Sequence, residues 1–292
     1  MTTTKKMNYR NMTCETQLAP VIEPNRTRLI AFVGNAQSGK MTSCNCMTGL
    51  VWKASRLVND WLVDDTGKLV IKDLKGYTFP NGKHFDVLDW NNDDEINHIL
   101  PKLSPHPMNL IQKVAFGDPL KQAIHTIFGV EPELLWGTDQ QKNEDTQYTA
   151  GEFLNLIGAA RFPFKHKKGS DVLTVREIMQ CFGTEIIRRI NPRIWVDRTV
   201  ENIYSIIEQW RPQIIVCEDV RFPEELDAIK EMGGITIGLT RKPKSSAGDK
   251  HTSEQVQKLL DSCHFVIPND NMSVQEQCLA IVEIWNAIMA NK

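Results

Sequence analysis

Residues 28–42 read RLIAFVGNAQSGKMT. An apolar run, Leu29 to Val33, stops at Gly34, and Gly39, Lys40, Met41 and Thr42 follow. The spacing G-x-x-x-x-G-K is that of a loop whose main-chain amides cradle phosphate between a strand and a helix. Both flanks fit. The apolar run has the length of a buried strand, and Lys40 to about Leu62 carries Met47, Leu50, Val51, Ala54, Leu57 and Val58 on one helical face. Gly34 and Gly39 let backbone N–H groups approach phosphate oxygens, with Asn35 and Ser38 between them, and the helix N-terminus adds partial positive charge. Lys40 sets an ammonium against the outer phosphates, and Mg²⁺ at such a loop takes a hydroxyl. Met41 stands where Ser or Thr is usual and has none; Thr42, one residue on, can supply it.

The rest of the chain bounds what that loop can belong to. At 292 residues it is long enough for a sizeable core in one large domain or two modest ones. Its 34 basic and 36 acidic residues leave a net charge of -2, which gives no field for broad nucleic-acid binding. No apolar run is long enough to span a bilayer, and MTTTKKMNYRNMTCETQ lacks the apolar centre of a secretory signal, so no membrane partner and a cytoplasmic location are expected. Seven scattered cysteines form no disulfide framework. Cys44 and Cys46, two apart on a helix, cannot face one metal and are expected as buried thiols.

Outward from the loop, residues 1–27 read as a flexible extension, and 28–292 as one α/β domain. Residues 60–110 look like an insertion of loops, with a hairpin in KLVIKDL and HFDVLDW and with His84, His98 and His106 on the surface. A strand over 113–116 leads through Gly117-Asp118-Pro119 into the helix LKQAIHTIFGV. A polar excursion over about 131–175, including Lys165, Lys167 and Lys168, is the candidate cover or acceptor region. Continuous amphipathic helices are expected over VREIMQCFGTEIIRRI and VDRTVENIYSIIEQW, then strand 213–217, helix FPEELDAIKEMG, strand ITIGLTR, a loop KPKSSAGDKHTSE, strand FVIPND and a helix closing near Ala290. Apolar strands alternating with helices predict a three-layer α/β/α domain with a central, mostly parallel sheet.

The strand IIVCEDVR, 214–221, ends in acids at what would be the sheet's C-terminal edge, where ligands bind in open α/β sheets. Asp219 could hold a metal-bound water there and Arg221 a phosphate. Alternatively, the acids cap the helix beginning at Phe222-Pro223-Glu224.

In order and spacing, GNAQSGKMT, FGDPLKQA, VREIMQCFGTEIIRRINPRIWV, EDVRFPEEL and DKHTSE together resemble the bacteriophage-type deoxynucleoside monophosphate kinases of the P-loop NTPase class. The resemblance covers residues 28–41 and 112–285. It implies a P-loop fold with helical acceptor and lid insertions, ATP as donor, Mg²⁺ as cofactor and nucleotides as partners, with a homodimer left open. The superfamily often has G-K-x-T, which makes Thr42 the expected magnesium ligand and leaves Met41 as a departure. On the donor side it adds Arg241, over the adenine, to Gly34, Asn35, Ser38, Gly39, Lys40, Met41 and Thr42. On the acceptor side it implies Lys121, Arg176, Gln180, Gly183, Thr184, Trp195, Asp219 and Arg221.

Phosphoryl transfer needs in-line placement and positive charge more than covalent chemistry, so Lys40 and Arg176 are the expected catalytic residues. No general base is required, because the acceptor atom is already a phosphate oxygen. Of the adjacent pair Arg188 and Arg189, only one can face a pocket. The competing readings are a kinase of another small phosphate-bearing acceptor and an inactive nucleotide-binding module.

Overall fold

The apolar run becomes strand β1 (Arg28–Val33), and every residue from Leu29 onward in it is buried. In the computed structural model, which describes residues 27–35, 37–85, 102–241 and 257–290, it lies at the centre of a five-stranded parallel sheet. The order is β10 (Phe265–Pro268), β9 (Ile235–Thr240), β1, β8 (Ile214–Val220), β5 (Ile111–Val114). Strands β8 and β9 flank β1 although both come late in the chain, so the connections diverge at β1, and a crevice opens there beyond the strands' carboxyl ends. Ile30 and Phe32 join one core with Met47, Leu50, Val216, Ile237 and Trp285. Leu29, one residue out of phase, approaches Ile229 instead, as a two-residue period requires.

Helix α1 (Lys40–Ala54) is buried on nearly every side from Ser43 to Trp52, which a simple amphipathic face does not anticipate. The cause is the stretch expected to be loops. Strands β2 (Trp61–Val63), β3 (Leu69–Leu74) and β4 (Tyr77–Phe85) form an antiparallel sheet whose Val63, Leu69, Ile71, Leu74, Phe79 and Phe85 share the core with α1. Pro80-Asn81-Gly82, read as a turn, lies inside β4, and β3 pairs with residues from Tyr77 onward. The predicted helix to Leu62 ends at Ala54, with Arg56 left-handed at φ 58, before Trp61 enters β2. Of the remaining insertion readings, DVLDW from Asp86 on and His98 fall outside the described residues, as do residues 1–26 and most of KPKSSAGDKHTSE. These strands belong to a first compact unit, residues up to Ala115 and from Ile203 onward, closed by α7 (Val274–Ala290), which packs on α1.

Phe116–Asn202 form a second compact unit. It contains α2 (Asp118–Phe128), helical turns Pro132–Leu135 and Asp139–Lys142, and a ladder of β6 (Asp145–Thr149) with β7 (Val172–Thr174). Between those strands lies α3 (Ala150–Ile157). Capping boxes at Thr138/Gln141, Thr149/Glu152 and Thr174/Glu177 start three of its helices, so the polar excursion is folded by local hydrogen bonding over a core of Phe153, Phe162, Leu173, Ile178 and Trp195. The helix read as continuous over 175–190 is α4 (Val175–Gln180), a π-helical segment Cys181–Ile187 and a last turn Arg188–Ile190. Helix α5 (Ile194–Trp210) follows. Among the described residues no helix is long and apolar enough to cross a membrane.

Gly49 of α1 faces the Trp61 ring so closely that a Cβ would overlap it. Helix propensity alone favours Gly49→Ala by about 1 kcal/mol. Overpacking against β2 should reverse that sign and cost about 1–3 kcal/mol in denaturant unfolding; a more stable variant would contradict the packing of β2 on α1.

Candidate functional site

The glycine loop after β1 is fastened from beneath. A Cβ on Gly34 would come within 2.7 Å of the Leu239 carbonyl. Gly39 is left-handed at φ 96, and a Cβ there would meet the side-chain amides of Asn269 and Gln277 at 2.6 to 2.8 Å. Both positions therefore require glycine. The same two carboxamides hold the loop: Asn269 Nδ2 donates to Ser38 O at 2.7 Å, and Gln277 Nε2 to Gly39 O and Ser43 Oγ, each at 2.7 Å. Asn269 also donates to Gln277 Oε1 at 3.0 Å, and both side chains are buried. Sequence reasoning missed this pair; the available signal was two amides at interior positions of an otherwise apolar strand end and helix.

Lys40, 7% exposed, turns back over its own loop and donates to Gly34 O at 2.9 Å and Asn35 O at 2.6 Å. Burial, followed by the charge of Arg221, lowers its pKa to about 8 despite the opposing pull of Asp219 and Glu218. Arg241, expected over an adenine, donates to Gln37 O at 3.2 Å and so sits on the rim of the loop.

Beside the loop, β8 carries an irregularity: from Ala31 to Val33 β1 advances two residues while β8 advances three, from Cys217 to Val220. Glu218 and Asp219 lie in that bulge, a device that re-aims side chains at a sheet edge. The helix-cap alternative is not what these acids do. Buried Glu225 reaches back instead and accepts from the N–H groups of Arg221 at 2.8 Å and Phe222 at 3.1 Å at the start of α6 (Pro223–Glu231). Glu218 pairs with Lys113 of β5 at 2.9 Å, and that ammonium also lies 3.2 Å from Met41 Sδ. Arg221 is exposed.

Thr42 is not placed as expected. A Cβ on Gly67 would stand 2.5 Å from Thr42 Oγ1, so the hydroxyl packs against the β2–β3 turn. These residues do not fit a protein-held Mg²⁺, which takes oxygen ligands. The first turn of α1 offers a thioether and a hydroxyl turned to Gly67, and Glu218 already has an ammonium. Among the described residues no three His, Cys, Asp or Glu side chains converge on a metal-sized site. Cys44 and Cys46 are buried free thiols.

The second unit holds the other candidates. Arg176, Gln180 and Thr184, spaced by four, are all exposed. The Arg176 fork is pinned, Nη2 donating to Asp139 Oδ1 at 2.7 Å and Nε to Asn143 Oδ1 at 3.0 Å. Lys121 lies 3.1 Å from Asp118 Oδ1 and 5.5 Å from the centre of the Trp136 ring, whose Nε1 donates to that same oxygen at 3.0 Å. Trp136, Asp139 and Asn143 come from the excursion and were not singled out in the sequence. Gly183 and Trp195 are interior, contrary to expectation. A Cβ on Gly183 would strike Leu120, and Trp195, 6% exposed, donates its Nε1 to Gly183 O at 3.2 Å; they brace the π segment. Arg189 is held by Glu185 at 2.7 Å, while Arg188 is half-buried. Lys167 binds Glu177 at 2.8 Å and Val172 O at 2.7 Å, and Lys165 donates to Ala160 O at 3.0 Å, so these two cations serve their own unit.

Residues 118–277 match the family model described as deoxynucleotide monophosphate kinase, more than half of the chain. A protein of Acanthamoeba polyphaga mimivirus that carries the provisional name deoxynucleotide monophosphate kinase is 28% identical over 185 residues, 58% of this chain and 79% of that protein. The family match begins at Asp118, so the glycine loop lies outside it.

The lowered Lys40 pKa gives a pH dependence of defined sign. Below about 8 the ammonium is charged before any anion arrives; above it, a polyphosphate must draw a proton onto Lys40 as it binds. Affinity for a triphosphate should therefore be flat from pH 6.5 to 7.5 and weaken by up to about tenfold per pH unit above 8. Calorimetry across that range in two buffers of different ionisation heat reads both the slope and the proton uptake; a level profile to pH 9.5 would exclude this role for Lys40.

Proposed function

The chain belongs to the deoxynucleotide monophosphate kinase family, and on that premise we propose that it moves the terminal phosphate of ATP onto a deoxynucleoside monophosphate. The bond from the terminal phosphorus to the β,γ-bridging oxygen breaks, an oxygen of the acceptor phosphate takes that phosphorus, and ADP and a deoxynucleoside diphosphate leave. The observation that carries this reading is Lys40: an ammonium buried on the carbonyls of Gly34 and Asn35, at the N-terminus of a 15-residue helix. Those carbonyls satisfy the charge in the free protein and are exchangeable for phosphate oxygens. Gly34, Asn35, Ser38 and Gly39 supply the backbone around the donor, and Arg241 borders it.

On the acceptor side Arg176 is the leading residue. Its guanidinium is held by Asp139 and Asn143, so little rotamer entropy remains to be lost when a phosphate takes its outer face. Gln180 and Thr184 continue that exposed row, and Lys121 is a second cation in the same unit. Asp219 and Arg221, in the unit of the glycine loop, add one charge of each sign near Lys40. None of these groups needs to remove a proton, since an acceptor phosphate oxygen is nucleophilic as it stands.

Turnover is measured as ADP release across the four deoxynucleoside monophosphates. Lys40→Ala should lower kcat by about a hundredfold or more with the melting temperature unchanged, and Arg176→Ala should raise the acceptor KM or lower kcat at unaltered ATP affinity. ATP binding without turnover on any acceptor would favour a nucleotide-binding module, and turnover only on other phosphate-bearing acceptors would move the substrate class.

A further inference from the structure

Lys113 was not among the residues expected at the site, yet its side chain is 1% exposed and ends at the mouth of the glycine loop. Its ammonium is 2.9 Å from Glu218 and 3.2 Å from the sulfur of Met41, the residue standing where a hydroxyl usually helps to hold a metal. The Glu218 carboxylate is close enough to act electrostatically on Lys40. A bare carboxylate so placed would repel an arriving triphosphate, and a divalent cation is one way of removing that repulsion. Here a fixed ammonium already does it. Strand register makes the arrangement possible: Lys113 pairs with Val216, two residues before Glu218, on the neighbouring strand of the sheet.

We propose that Lys113 is a built-in counter-ion for Glu218, a positioning residue that lets the glycine loop take a nucleoside triphosphate without a protein-held divalent metal. Magnesium then travels on the nucleotide's own oxygens and on water, and the side chain of Met41 covers the ion pair. This rests on the reading of the loop as a triphosphate site. Lys113 need not touch the nucleotide; it acts by cancelling the charge of Glu218.

The test is the affinity of a non-hydrolysable ATP analogue, measured calorimetrically with excess EDTA and again with Mg²⁺. For the natural chain the two dissociation constants should differ by less than about threefold. Lys113→Met exposes the loop to an uncompensated carboxylate, so metal-free binding should weaken and the ratio rise at least about tenfold. The double variant Lys113→Met/Glu218→Gln removes both charges and should return the ratio close to its starting value, a recovery that a merely structural role for Lys113 does not produce. If the single variant fails to fold, the natural chain and the double variant decide. A tenfold or larger magnesium dependence in the natural chain, or no change of ratio in a folded single variant, overturns the inference while leaving the triphosphate site standing. Absence of binding under both conditions removes the site and the inference together.

Discussion

Four carbonyls at the glycine loop, those of Gly34, Asn35, Ser38 and Gly39, each accept from a buried side chain, and the local geometry depends on those bonds. Lys40 serves the first two, Asn269 the third and Gln277 the fourth. A buried carbonyl without a donor costs about as much as a lost hydrogen bond, so the loop cannot relax toward another conformation without orphaning one of them. The donors come from the loop's own helix, from the residue after β10 and from α7, which means that the last third of the chain must be in place before the first loop has its shape. Residues near 34 and near 277 are thus one structure, although more than two hundred positions separate them.

Much of this architecture could be read from the chain because its cues are local. The apolar run before Gly34, the G-x-x-x-x-G-K spacing and the alternation of apolar strands with helices carry the parallel sheet in short windows. What escaped reading has causes that are not local. Helix α1 is buried all round because an antiparallel sheet lies against it, and β2, at three residues, is too short to show a period. Pro80 and Asn81-Gly82 are ordinarily turn residues, but β4 lies at one edge of its sheet, where a proline's missing donor is tolerated. The family resemblance marked motif positions correctly as a set without sorting their tasks: Arg176 is exposed and pinned, whereas Gly183 and Trp195 from the same motif are interior. Asn269, Gln277 and Lys113 act through contacts across the sheet, which no linear spacing encodes.

Charge in this protein is arranged by pairing. Lys113 with Glu218, Lys121 with Asp118, Arg176 with Asp139 and Lys167 with Glu177 each set a cation against a carboxylate within 3.1 Å. Exposed pairs of this kind contribute little to stability, and their value here lies in fixing where a donor group points. A near-neutral chain can in this way present concentrated positive charge to a phosphate without the long-range field that would attract nucleic acid.

The π segment at Cys181–Ile187 has a consequence for how this chain can vary. A π turn amounts to one residue added to an α-helix, and here it follows Arg176 and Gln180 and contains Thr184. Losing one residue between 181 and 187 would restore ordinary winding and swing everything beyond it by about 100° around the axis, carrying Arg188 and Arg189 to new directions and leaving the indole of Trp195 without its carbonyl. Substitutions in this stretch can be absorbed one by one, but a change in its length cannot, so the count of residues there is inherited as strictly as their identity.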